Sequence, residues 1–221
     1  MTLPSPIFAR ELRELREAVL RMAGQVESQI EIALAALRAL DDVGANEVYR
    51  DEQAINEACR QIRERCYEVI GGQHPSGPEL RSLMAVVHIA IELERMGDYA
   101  VRLAKRACVL KELPRRPMRA ELGLMGELAS RQVRDILDAL IDQDTQRAVE
   151  VARRDEAIDQ LYRRVFDDLI EELAADQDPD WALRAVTLTQ AAHDVERISD
   201  RVTNLAEDIV FLETGRIVEL K

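Results

Sequence analysis

The stretch LRSLMAVVHIAIELERMGDYAVRLAKRACVL, Leu80 to Leu110, decides the fold. It contains no proline and a single glycine, Gly97, so nothing halts a helix along its length. Upstream lies the breaker cluster Gly71, Gly72, Pro75, Gly77 and Pro78. Before that cluster, Ile55, Cys59, Ile62, Cys66 and Val69 form one stripe of a helix following Gly44. Further back, Leu12, Leu15, Val19, Met22, Val26, Ile30, Leu34 and Leu37 recur at three- and four-residue spacing, which predicts a long amphipathic helix from about Ile7 to Leu40. Downstream, Pro114 and Pro117 with basic residues between them make a short connector.

Beyond the connector the pattern starts again. Helices are predicted near Met118 to Ile141, Thr145 to Ala175 and Asp180 to Leu212, with Asp176, Asp178 and Pro179 as the last breaker and Asp180 as N-cap. The halves align: Glu94 falls on Glu196, Arg95 on Arg197, Asp98 on Asp200 and Leu103 on Leu205, all 102 residues apart. Met22 meets Met125, Leu34 meets Leu137 and Glu52 meets Asp155 at a shift of 103. A nearly constant shift across three helices marks an internal repeat. The expectation is an all-α protein of two tandem, pseudo-symmetric three-helix bundles, residues 1–113 and 118–221.

Aromatic residues are only 4% of the chain, so packing rests on Leu, Ile, Val, Ala and Met. The net charge of −12 repels nucleic-acid phosphates and anionic lipid, and it favours cations. Charged residues interrupt every apolar run well short of a membrane span. Three cysteines without C-x-x-C spacing, and no amino-terminal apolar segment, point to a cytoplasmic setting.

Candidate chemistry lies in acidic pairs four residues apart: Glu94 with Asp98, Glu196 with Asp200, Asp155 with Asp159, and the weaker Glu52 with Asn56. Residues at i and i+4 share a helix face, about 6 Å apart along the axis, so two carboxylates there can grip one cation. The spacing alone decides little, because Glu27/Glu31, Glu64/Glu68, Asp138/Asp142 and Asp167/Glu171 share it. Direction separates them. Glu94 and Asp98 fall on the arc of Met84, Val87, Ile91 and Val101, whereas the control pairs lie roughly 100° from their apolar stripes. Glu52/Asn56 and Asp155/Asp159 sit at the edge of their stripes, placed to face the third-helix pairs across a groove. Like charges so close need a counter-charge, either Arg95 and Arg197 or a hard cation that prefers oxygen ligands. His193 lies on the arc of Glu196 and reads as a ligand in one half or as a packed residue, since its repeat counterpart is Ile91. His88 and His74 have weaker claims.

Two segments, ELERMGDYAVRLAK (Glu92 to Lys105) and DVERISDRVTNLAEDIVFL (Asp194 to Leu212), closely resemble the signature segments of the PhoU family of phosphate-signalling regulators. The resemblance extends to Phe8-x-x-Glu11-Leu12 and to the segments beginning at Glu52 and Asp155. It implies two similar three-helix bundles side by side and E/D-x-x-x-D motifs that in some members bind multinuclear metal clusters, with iron, manganese, magnesium and zinc as candidates here. The implied metal ligands are Glu52, Asn56, Glu94, Asp98, Asp155, Asp159, Glu196 and Asp200, and Asn56 departs from the acid expected there. It further implies negative regulation of phosphate uptake and of the phosphate-starvation response. The implied partners are a sensor histidine kinase and the ATPase of the phosphate ABC transporter, which would recruit the protein to the inner face of the membrane. Self-association into a homodimer is left open by the long helices.

Catalysis is not expected. The chain has no Glu-x-x-His of the di-metal carboxylate enzymes, no P-loop, no dinucleotide fingerprint and no G-x-S-x-G. The rival reading is a metal-free helical adaptor, serving another transporter, in which the acidic pairs engage arginines.

Overall fold

The computed structural model describes residues 6–114, 116–175 and 178–220. Arg115 of the connector and Asp176 of the last breaker lie outside them. Among the described residues run seven helices and no strand: α1 (Pro6–Ala39), α2 (Asp42–Gln73), α3 (Pro78–Glu112), α4 (Ala120–Asp142), α5 (Thr145–Ala152), α6 (Asp155–Ala175) and α7 (Pro179–Thr214).

Local chemistry sets the ends. Asp41 caps α2 by accepting from the backbone N–H of Val43 at 3.0 Å and of Gly44 at 3.2 Å. Gly44 therefore lies inside the helix rather than before it, where an added Cβ would stand 3.3 Å from that of Ala36. Likewise α2 runs through Gly71 and Gly72 to Gln73. Asp178, and not Asp180, caps α7, with Pro179 at the first helical position, where a missing N–H costs nothing. Gly215, at φ 69°, ends α7 in the left-handed conformation that suits glycine.

The helix expected over 145–175 is in fact two. Arg154 N donates to Val151 O and Ala157 N to Arg154 O, three-residue turns that interrupt the i to i+4 ladder between α5 and α6. Neither Gly nor Pro marks the break, so periodicity alone runs straight across it.

Helices α1, α2 and α3 pack on one another, as do α4 to α7, and α3 also lies along α7, which joins the two bundles. The two central helices are accordingly buried along about half of their residues. Sixteen of 35 residues in α3 and eighteen of 36 in α7 are buried, against three of 21 in the peripheral α6. One continuous core results, in which Met22, Leu93, Met96, Leu103, Met125 and Ile136 are fully buried. The connector is tied down by Arg184, only 2% exposed, which donates to the carbonyls of Leu110, Pro114 and Arg116. Arg116 in turn stacks over Trp181 at 4.3 Å.

The α3–α7 seam also carries reciprocal polar pairs. Glu92 of α3 accepts from Arg201 at 3.1 Å and Asn204 at 3.0 Å of α7, and from Arg95 at 2.9 Å. Its repeat counterpart on α7, the buried Asp194, faces Arg106 of α3 at 3.6 Å. The counterpart of Arg106 is Asp208, which breaks the symmetry by setting an acid beside Glu92. Burial, reinforced by the charges of Glu92 and Glu207, pushes the Asp208 carboxyl up to about 7 from 3.8. A raised folded value means that the native state keeps a proton the unfolded chain has released. The stability it contributes is full below 3.8 and is lost as pH rises through about 7. Urea denaturation across that window should show Asp208→Asn losing less stability with rising pH than the wild type; superimposable pH profiles would refute this.

Candidate metal centre

In the second bundle the four predicted carboxylates stand on two packed helices. Asp155 opens α6 and Asp159 follows one turn on, while Glu196 and Asp200 occupy the middle of α7, against which α6 packs. Ser199 of α7 places its Oγ 2.5 Å from Asp155 Oδ1 and 2.6 Å from Gln132 Oε1 of α4, so three helices meet at the groove. Across it, the charge of Asp159 is felt by Glu196. The Glu196 carboxyl is held above the ordinary range, chiefly by burial and then by Asp200 and Asp159, with His193 and Arg197 opposing. Asp159 Oδ1 and Glu196 Oε2 are buried without an aligned hydrogen bond. The structure thus brings Asp155, Asp159, Glu196 and Asp200 to one groove.

Arg197 supplies positive charge there, and the His193 imidazole stands nearby. Arg197 pairs through Nη1 with Asp200 Oδ2, and its Nε lies 3.5 Å from the Tyr99 hydroxyl of α3. His193 Nδ1 lies 3.2 Å from Glu196 Oε2, and its ring packs on Tyr162 at 5.8 Å between centroids. With half its side chain exposed, His193 sits at the mouth of the groove.

The first bundle differs. Glu94 and Asp98 are half-buried, and among the described residues neither makes a hydrogen bond or an ion pair. Burial, with the charge of Asp98, raises the Glu94 carboxyl, and Arg95 and Arg63 lower it. Arg95, expected as their counter-ion, turns its guanidinium to Glu92 instead, because that acid is the more buried and is shared with α7. Across the groove Glu94 faces Cys59, whose thiol is pushed up by burial and by that carboxylate. Glu52 is half-buried and Asn56 is exposed.

The control pairs behave otherwise. Arg134 of α4 takes both Glu27 and Glu31 of α1, Arg60 takes Glu64, Arg65 takes Glu68, and Arg147 reaches Asp138 and Asp142. Asp167 and Glu171 are exposed. Direction relative to the apolar stripe, not spacing, separated solvated pairs from groove-lining ones.

The second groove fits a hard cation in donor chemistry. It is an all-oxygen set in which Asp159 Oδ1 is buried without a hydrogen bond and the Glu196 carboxyl is destabilised as an anion by burial. As placed, however, no three His, Cys, Asp or Glu among the described residues converge closely enough to hold one ion. Binding there would require the side chains to close in. The first groove, with exposed Asn56 and a buried thiol, fits less well.

The reading of the sequence missed Ser199, Gln132, Tyr162, Cys59 and Arg63. The repeat carries a signal for the first two: Gln132 aligns with Gln29, and Ser199 with Gly97.

The profile of a family described as the PhoU domain matches residues 19–107 and, a second time, 122–209. This chain belongs to the PhoU family. A Clostridium acetobutylicum protein named phosphate-specific transport system accessory protein PhoU homolog is 32% identical over 218 residues, 97% of either chain. A Caulobacter vibrioides protein of the same name is 33% identical over 209 residues, 94% of this chain and 90% of its own. The crystal structure of PhoU from Pseudomonas aeruginosa superposes with a TM-score of 0.89 at 31% identity, covering 95% of this chain and all of that one. That of the phosphate transport system regulatory protein PhoU from Streptococcus pneumoniae gives 0.87 at 28% identity, covering 96% and 99%. The PhoU relatives are named as accessory and regulatory proteins, not as enzymes.

In metal-free protein burial makes the Glu196 charge a burden, so Glu196→Gln should raise the stability of the apo fold at neutral pH. Thermal melts in chelator would show it; a lower midpoint for the variant would mean that the carboxylate is compensated.

Proposed function

We propose that this PhoU protein is an accessory regulator of phosphate transport. It holds phosphate uptake and the phosphate-starvation response down when phosphate is plentiful. Similarity along nearly the whole chain to phosphate-specific transport accessory proteins carries the reading. The sense of the regulation, and its route through a sensor histidine kinase and the transporter ATPase at the cytoplasmic face of the membrane, follow from the family resemblance. The molecule suits such a task. Its helices of up to 36 residues present long rigid faces, and no helix among the described residues is apolar enough to cross a membrane.

Metal is the second part of the proposal. Asp155, Asp159, Glu196 and Asp200 would hold iron, manganese, magnesium or zinc in the second groove, with Glu94, Asp98, Glu52 and Asn56 as a weaker set in the first. The buried Asp159 Oδ1, which makes no hydrogen bond, supports this. The Arg197–Asp200 pair favours a second reading, a metal-free adaptor whose acids are already answered by arginine.

Two measurements test the two parts. Deleting the gene should raise phosphate-responsive transcription and phosphate uptake in high phosphate; no change in either would sink the regulatory reading. Elemental analysis of untagged protein purified without chelator should find metal that is lost when Glu94, Asp98, Glu196 and Asp200 are changed to Gln or Asn. Metal-free wild-type protein that still represses would establish the adaptor.

A further inference from the structure

The Ser199 hydroxyl has a single proton, yet two oxygens, Asp155 Oδ1 and Gln132 Oε1, stand within 2.6 Å of it. One proton cannot serve both. The two ends of an amide are nearly alike in shape, so the chemistry of the partners decides which faces the hydroxyl. Gln132 is 2% exposed, and its Nε2 is buried without a hydrogen bond. Turning the amide brings that NH₂ onto Ser199 Oγ and releases the hydroxyl proton to the Asp155 carboxylate. The amide oxygen then takes the place without a partner, as Gln29 Oε1 does in the first bundle. The result is a buried relay, amide to hydroxyl to carboxylate, in which each donor strengthens the next.

The first bundle has no such relay. Gly97 stands where Ser199 does, and a Cβ there would come within 2.9 Å of Gln29 Oε1. Gln29 instead donates from Nε2 to the Val48 carbonyl of α2 at 3.0 Å, leaving no donor directed at Glu52. One repeat has a hydroxyl at the groove floor and the other has bare backbone.

We propose that Ser199, backed by Gln132, is a positioning residue that fixes the Asp155 carboxylate and makes the second groove the tighter of two cation sites. This rests on the metal reading above. Ser199 does not itself bind the ion. It orients a ligand, and outer partners of that kind typically change metal affinity about 10- to 100-fold.

The test is calorimetric titration of chelator-treated protein with Mn²⁺ and, in parallel, Zn²⁺. Glu94→Gln isolates the second groove and Glu196→Gln isolates the first. Adding Ser199→Ala should weaken binding about tenfold or more in the Glu94→Gln background. In the Glu196→Gln background it should leave the remaining affinity unchanged. Equal weakening in both backgrounds would mean that Ser199 merely supports the fold, and no weakening in either would overturn the positioning role alone. Wild-type protein that takes up neither ion would overturn the metal reading and the ranking of sites with it.

Discussion

The structure depends on the contact of α3 with α7. Each bundle contributes its third helix to the centre, and each of those helices must satisfy neighbours in its own bundle and in the other. A buried carboxylate is costly in such a place unless it is paired and hydrogen-bonded. Glu92 meets that requirement with Arg201 and Asn204 from the opposite helix and Arg95 from its own. Asp194 meets it less fully with Arg106, keeping one buried oxygen without an aligned hydrogen bond. Apolar surface would hold two helices together at many registers, whereas these pairs are satisfied at one. The seam therefore fixes where α3 and α7 lie along each other, and so where the two grooves lie.

That dependence explains what could be read in the sequence. Helix content, the long elements and the duplication were legible because the 3.6-residue pattern and the shift of 102 or 103 are set by local geometry and repeated packing. The break at Arg153 and Arg154 was not, because those residues are good helix formers and the interruption arises from the hydrogen-bond ladder. The cap of α7 was misplaced by two residues because Asp178 and Asp180 are chemically alike and only the backbone path chooses between them.

The placement of the acids was legible in outline. The arc argument led to one buried position, Asp200, and three half-buried ones, Glu94, Asp98 and Glu196, since burial follows the apolar stripe. It assigned Arg95 wrongly, because the competitor for that guanidinium, Glu92, lies two residues from Glu94 and owes its burial to the other half of the chain. Spacing along one helix cannot weigh partners that arrive from another. The relay through Ser199 was hidden for the same reason, since its three members come from α4, α6 and α7.

Arg197 shows how groove and seam are joined. Its guanidinium pairs with Asp200 inside the second groove while lying 3.5 Å from the Tyr99 hydroxyl on α3. A cation that took Asp200 as a ligand would compete with Arg197 at Oδ2, whereas Oδ1 stands outside that pair. The same guanidinium has Tyr99 beside it, a group from the first bundle. Arg197 is in this way the side chain through which the second groove touches the central helix of the other half. The equivalent residue in the first bundle cannot act so, because Arg95 is already committed to Glu92 within the seam. The duplication supplied two similar grooves, and the sharing of α3 and α7 made them unequal.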